Sequence, residues 1–131
     1  MAEHITFHLV SPERKLASIE AKSVVVPGIE GDITLLPNHA DFLTSLRPGI
    51  LVVEDSVTVQ EFLVTGGFVE VSESIATVLA EKAVPKAEVD RTFLGHFIKE
   101  AEEEVSNSSE SQRARADLRL NDLRTLASSL G

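Results

Sequence analysis

Over the first two-thirds of the chain, apolar and polar positions alternate in short runs that end at turn residues. Ile5-Thr-Phe-His-Leu-Val10 alternates and stops at Ser11-Pro12. Residues 15–27 follow, with Leu16, Ile19, Val24 and Val26 as the inward candidates. Gly28-Ile-Glu-Gly31-Asp32 reads as a loop, 33–36 as a strand stopped by Pro37-Asn38, and 42–46 as a strand stopped by Pro48-Gly49. Further strands are expected at 50–53, 57–64, 68–71 and 75–79, separated by Glu54-Asp55-Ser56, Gly66-Gly67 and Ser72-Glu73-Ser74. Short Val- and Ile-rich runs at this spacing predict a β-sandwich or barrel. Gly66-Gly67, between two alternating runs, predicts a tight hairpin turn.

After Val84-Pro85 the period changes. Val89, Phe93, Leu94, Phe97, Ile98, Ala101 and Val105 recur three and four apart, the stripe of an amphipathic helix. Ser106-Asn-Ser-Ser109 interrupts it, and Ser109-x-x-Gln112 has the form of a capping box. Ala116, Leu120, Leu123, Ala127 and Leu130 then step four and three residues apart, a heptad seam. Two helices joined by so short a connection are antiparallel neighbours. The expected architecture is a β-sandwich over residues 1–84 and a helical hairpin over 85–131. A two-helix contact buries only part of its apolar stripe, so the hairpin is expected to lean on a further surface.

A length of 131 residues predicts one domain, or one domain with an appendage, and 43% apolar and 25% charged residues are ordinary for a globular chain. There is no cysteine, hence no disulfide, thiolate nucleophile or zinc-thiolate site. Net charge is −9, from 12 Lys and Arg against 21 Asp and Glu, which argues against nucleic acid and against an anionic membrane surface as partners. The opening Met1-Ala-Glu-His-Ile-Thr has neither the basic nor the apolar region of a signal peptide, and no run approaches the ~20 residues of a span. A soluble, cytoplasmic protein with no direct lipid insertion is expected. Within the tail, Glu100, Glu102, Glu103 and Glu104 stand on the first helix, and Arg113, Arg115, Arg119 and Arg124 on the second. These are either solvated faces or, for the arginines, contacts to an acidic partner.

The chain lacks GxxxxGK[ST], HExxH, GxSxG and an EF-hand loop. His4 and His8 share a strand face about 13 Å apart, too far for one metal. His39 and Asp41 fall in one turn, with Thr44 or Ser45 as the nucleophile of an imagined hydrolase, but no oxyanion hole accompanies them. Gly28-x-x-Gly31 lacks the helix that a phosphate cradle uses. No catalytic residue, cofactor or metal is expected.

The run Pro27-Gly-Ile-Glu-Gly-Asp-Ile-Thr-Leu-Leu-Pro-Asn-His-Ala-Asp-Phe-Leu-Thr-Ser-Leu-Arg-Pro-Gly49 resembles the signature of the epsilon subunit of F-type ATP synthases. Phe7-His-Leu-Val-Ser-Pro12, Val64-Thr-Gly-Gly-Phe-Val-Glu-Val71 and Val78-Leu-Ala-Glu-Lys-Ala83 agree with it in order. The resemblance implies a sandwich of about ten strands followed by a helical hairpin. It implies a non-catalytic rotor subunit on the cytoplasmic face of the cell's inner membrane, bound to the gamma subunit and the ring of c subunits and coupling rotation to ATP synthesis. Carried over residue by residue, it sets Glu30 and Asp32 toward the c-ring and Ser11, His39 and Thr44 toward gamma. His39 and Thr44 can equally serve their own turn and strand. In many relatives the hairpin opens and hinders ATP hydrolysis, which makes Arg113, Arg115, Arg119 and Arg124 candidate contacts to the alpha and beta subunits.

Some members of this family instead sense ATP through an Ile/Leu-Asp-x-x-Arg-Ala run on the first helix. Val89-Asp90 match its start, but Phe93-Leu94 replace Arg-Ala, which removes the main guanidinium for a phosphate. Arg91 lies about 200° around the helix from Phe93 and is no simple substitute. A tight ATP site is therefore not expected.

Overall fold

A computed structural model describes residues 4–130, apart from the side chains of Arg91 and Leu130. The Met1-Ala2-Glu3 opening, the Leu130 end of the heptad seam and the comparison of Arg91 with Phe93 fall outside those described groups. The chain divides into two compact units, Met1–Ala87 and Glu88–Gly131.

The first unit contains β1 (Ile5–Val10), β2 (Lys15–Ala21), β3 (Ser23–Gly28), β4 (Gly31–Leu35), β5 (Phe42–Leu46), β6 (Gly49–Glu54), β7 (Val59–Val64), β8 (Gly67–Ser72), β9 (Ile75–Ala80) and β10 (Ala83–Pro85). Neighbours run β10-β7-β6-β3-β5-β8-β9-β1-β2, with β4 on the other edge of β3. The joint in this sheet is β3. Ser23–Val25 pair with β6, whereas only Gly28, opposite Leu46, reaches β5. One half-sheet thus folds over the other, as expected for a sandwich.

Period-2 alternation carries the packing. Ile5, Phe7 and Leu9 of β1 and Val69 and Val71 of β8 are buried. They meet Val24, Val26, Leu35, Leu51, Val53, Phe62 and Val64 of the opposite half in one apolar cluster. Each buried branched or aromatic side chain contributes about 1.5–3 kcal/mol, so this layer holds the unit together without staples.

Several boundaries depart from the sequence reading. The single strand expected at 15–27 is two, because Ala21 pairs with Ile5 in one half-sheet and Ser23 with Glu54 in the other. Lys22 makes the switch, its N–H donating to the Glu54 carbonyl at 2.7 Å. The β7 strand starts two residues later than expected, since Val57 and Thr58 belong to the turn that Asp55 organises. Gly66-Gly67 does not close a hairpin: β7 pairs with β6 and β10, and β8 with β5 and β9. The pair carries the chain between half-sheets with φ of 140° and 141°. The strand β10, three residues long, carries no alternation that a sequence could show.

The second unit is α1 (Arg91–Asn107) and α2 (Glu110–Leu130). Asp90 caps α1 by accepting the Phe93 N–H at 2.8 Å, which leaves Val89 outside the helix. At the second helix the expected capping box does not form: the Ser109 hydroxyl pairs with that of Ser111 at 3.1 Å. The Ser109 carbonyl instead accepts from Gln112 and Arg113. Ala101, Leu120 and Leu123 are the buried contact between the helices, flanked by Phe97, Ile98 and Val105. Leu126 is buried and Ala127 only half-buried, so the buried face follows the 3.6-residue turn rather than a strict heptad.

Candidate functional site

The imidazole of His39 faces no catalytic partner. Its Nδ1 lies 2.8 Å from the Ala40 carbonyl, which fixes the proton there, and its ring meets Phe42 at a tilt of 51° with centroids 5.1 Å apart. The Asp41 carboxylate is already taken by the Glu73 N–H at 3.1 Å. Thr44 stands opposite Val69 on the inward side of β5, and Ser45 opposite Phe68 on the outward side. The two hydroxyls imagined as nucleophiles therefore point to opposite faces of one strand. His8 bonds Ser18 and His4 pairs with Glu20, each as an exposed side chain. Among the described residues no three His, Asp or Glu side chains converge as a metal site.

The β5-β8-β9-β1 half-sheet instead offers a surface. Its outward row runs Ser45, Phe68, Leu79, Val10 across four strands. The next outward row begins Leu43, Glu70, Thr77. Leu43, Phe68 and Leu79 remain 66%, 53% and 54% exposed. An apolar row across a sheet differs from scattered exposed residues, since neighbouring strands bring the side chains together. Ser11 stands at its corner in a recess of about 350 Å³ with Pro12, Phe68 and Leu79. The Ser11 hydroxyl donates to the Arg14 carbonyl at 3.3 Å, and only 7% of the residue is exposed. Ser11 lies at one end of this half-sheet, Thr44 in its middle and His39 beyond the other end, so the three do not form one contact point. Sequence reading missed Leu43, Phe68 and Leu79 because alternation alone does not say which face stays uncovered.

Glu30 and Asp32 belong to the β3–β4 hairpin. Gly28 pairs with Gly31, leaving Ile29-Glu30 as its two-residue tip. A Cβ at Gly28 would stand 2.7 Å from the Gly31 carbonyl, and Gly31 has a φ of 135°. Both glycines are thus required by the turn. The Ile29 N–H reaches the Ser45 carbonyl at 3.1 Å and the Arg47 N–H the Pro27 carbonyl at 3.0 Å, clamping the tip to β5. Glu30 and Asp32 are both exposed there.

On the helical unit, Arg113 and Arg115 are exposed and Arg119 is half-buried. Arg124 reaches across to Glu102 at 3.0 Å, joining opposite charges of the two helices at one position. Asp90 is occupied as a cap and Phe93 meets Phe97 edge-to-face at 5.0 Å, where a phosphate site would need an arginine.

Comparison with known proteins decides the class. The model of the ATP synthase delta/epsilon chain β-sandwich domain matches residues 4–86. The ATP synthase epsilon chain of Cereibacter sphaeroides (strain ATCC 17025 / ATH 2.4.3) is 47% identical over 131 residues, covering 100% of this chain and 99% of that one. The chain belongs to the ATP synthase epsilon chain family. A second epsilon chain, from Rhodobacter capsulatus, is 43% identical over 128 residues, 98% of this chain and 97% of its own. As an epsilon chain the protein is a non-catalytic subunit of the rotary complex.

The epsilon fold is also that of distant solved structures. A chain of the Euglena gracilis mitochondrial ATP synthase superposes with a TM-score of 0.76 at 23% identity, covering 100% of this chain and 84% of that one. A chain of the Tetrahymena thermophila central stalk and c-ring assembly gives 0.69 at 18% identity, covering 96% of each. Among the described residues no helix is long and apolar enough to cross a membrane.

Proposed function

We propose that this epsilon chain is a central-stalk subunit of a proton-translocating F-type ATP synthase, peripheral on the cytoplasmic face of the membrane. It grips gamma with the outward face of the β5-β8-β9-β1 half-sheet and the c-ring with the β3–β4 hairpin. Ser11 and His39 border the first contact at its two ends, Thr44 turns to the inward side of β5 and serves its strand, and Glu30 and Asp32 carry the second. The helical unit restrains ATP hydrolysis through Arg113, Arg115, Arg119 and Arg124 on the alpha and beta subunits. The observation that carries the reading is the exposed row of Phe68 and Leu79 with Leu43 beside it, in a chain aligned with epsilon chains over its whole length. Each of these half-exposed side chains contributes about 1 kcal/mol when a partner covers it.

Capture of purified gamma tests the docking face. Phe68→Glu with Leu79→Glu places two charges on solvent-facing positions, so the sandwich still folds. Gamma binding is expected to fall at least about tenfold, since burying two unpaired carboxylates is costly. Unchanged capture would remove this face from the proposal.

A further inference from the structure

Strand register sets a polar row beside the apolar one on the outward face of the first half-sheet. Leu43 of β5 faces Glu70 of β8, and Glu70 faces Thr77 of β9. Thr77 lies beside His8 of β1, and His8 faces Ser18 of β2. Glu70 and Ser18 are exposed, whereas Thr77 and His8 are half-buried. Strands about 4.8 Å apart put Glu70 and His8 about 10 Å from one another, with Thr77 between them. The Ser18 hydroxyl lies 3.1 Å from the His8 Nδ1 and ties the ring to β2. Few other charges surround this imidazole. On β2, Glu20 lies on one diagonal, held by the Thr6 hydroxyl at 3.0 Å and by the His4 imidazole, and exposed Lys15 stands on the other side in the row of Val10. On β9 the diagonal neighbours are Ile75 and Leu79, and along β1 they are Thr6 and Val10, none of them charged.

We infer that a cation of the partner docks over Thr77, between Glu70 and His8, and that protonation of His8 weakens its seat. The inference rests on the gamma contact proposed for this face. A partner that covers an exposed carboxylate strips its water, and an anion in a dry contact requires a cation or N–H donors opposite it. The net charge of −9 favours a basic patch on the partner as well. His8 carries the regulation because imidazole is the side chain that ordinarily changes charge between pH 5 and 8. Neutral, it adds ring surface beside the apolar row of Val10, Leu79 and Phe68. Protonated, it must shed water to be covered, and it faces the incoming cation across a contact that excludes screening salt. Both costs have the same sign. Lys15 adds to the repulsion, and Glu20, which would offset it, is already engaged by His4 and Thr6. The docked state therefore binds fewer protons than the free one, and affinity falls as pH drops through the histidine range.

The test is capture of purified gamma by the full chain between pH 7.5 and pH 5.5, with every variant set against the same gamma so that the partner's own titration cancels. The loss of affinity on acidification is expected to be about tenfold larger for wild type than for His8→Gln. His8→Lys, a fixed cation, should bind at pH 7.5 about as weakly as wild type does at pH 5.5. Glu70→Gln should weaken capture at pH 7.5 about fivefold, because the partner's cation loses its counter-charge. His39→Gln, at the histidine bordering the same contact, should keep the wild-type loss. Equal losses in wild type and His8→Gln, or abolition of the loss by His39→Gln, overturn the switch, and unchanged capture by Glu70→Gln overturns the cation. If Phe68→Glu with Leu79→Glu leaves capture unchanged, the docking face itself is wrong and this inference falls with it. If that variant loses gamma while the His8 or Glu70 results fail, the face stands and only the switch or the cation is lost.

Discussion

Gly67 shows how tightly one residue can be fixed. A Cβ there would stand 2.1 Å from the Leu79 carbonyl oxygen, and its φ is 141°. Gly67→Ala therefore meets both backbone clash and a conformation that L side chains avoid, and should cost about 3 kcal/mol or more. A shift in the urea midpoint at constant slope measures it, and a loss below 1 kcal/mol would contradict the geometry. The glycine signal itself was legible in the sequence, but its purpose was not. A hairpin turn and a crossing between half-sheets both call for positive φ, and only the choice of partner strands separates them. Asp55 is a second case. It accepts the Val57 and Thr58 N–H groups at 2.7 and 2.6 Å, and these bonds, Thr58 first, lower its carboxyl below the ordinary value. The folded state then binds fewer protons than the unfolded one through this group. Its stabilising effect is complete above the ordinary carboxylate pKa of about 3.9 and is lost as pH falls through the lowered folded value. Asp55→Asn removes that titration, so the stability gap between wild type and variant should narrow from pH 6 to pH 2.5 in urea titrations. A gap independent of pH would show that the charge is irrelevant to the turn.

At the scale of elements, what was legible was whatever repeats locally. Alternation located eight runs that cover nine of the ten strands, with β2 and β3 merged, because one face of each half-sheet is buried, and the three-four stripe located both helices. What failed depended on distant residues. Nothing within 15–27 says that Ala21 will pair with Ile5 and Ser23 with Glu54, so the break at Lys22 was invisible. The Ser72–Ile75 turn closes the β8–β9 hairpin on Glu73 and Ser74 at φ of 51° and 60°, without the Asn-Gly that ordinarily signals it. Two loops are tied there, because the Ser74 hydroxyl accepts the Asn38 N–H at 2.9 Å and Asp41 accepts that of Glu73. Helix caps invert the sequence expectation in a testable way. Asp90→Ala removes a cap that is made and should destabilise the helical unit by about 1 kcal/mol, whereas Ser109→Ala, whose hydroxyl faces Ser111, should cost less than about 0.5 kcal/mol. Amide exchange of α1 and α2 compares the two, and equal effects would restore the capping box at Ser109.

For the whole molecule, the decisive contrast is between the two units' interiors. The sandwich draws its main apolar cluster from residues between Ile5 and Ala83, all on the near side of Ala87. The inter-helix cluster consists of Ala101, Leu120 and Leu123 with three half-buried neighbours. Burial on that scale does not offset the backbone entropy of two helices by a wide margin, at about 1–2 kcal/mol per ordered residue. A weakly self-supporting hairpin suits a regulatory part, since a few kcal/mol of new contacts can redistribute its conformations. Ending the chain after Ala87 should therefore leave a sandwich that unfolds in one sharp urea transition, while a peptide of residues 88–131 should show little helix by circular dichroism. In a reassembled ATP synthase the truncated chain should still bind gamma and support proton-driven ATP synthesis, with ATP hydrolysis raised several-fold when no proton gradient opposes it. Unchanged hydrolysis with intact coupling would strip the hairpin of its restraining role and leave the grip on the rotor standing. Loss of gamma binding by a truncated chain whose sandwich is folded would instead move that grip from the sheet to the helices.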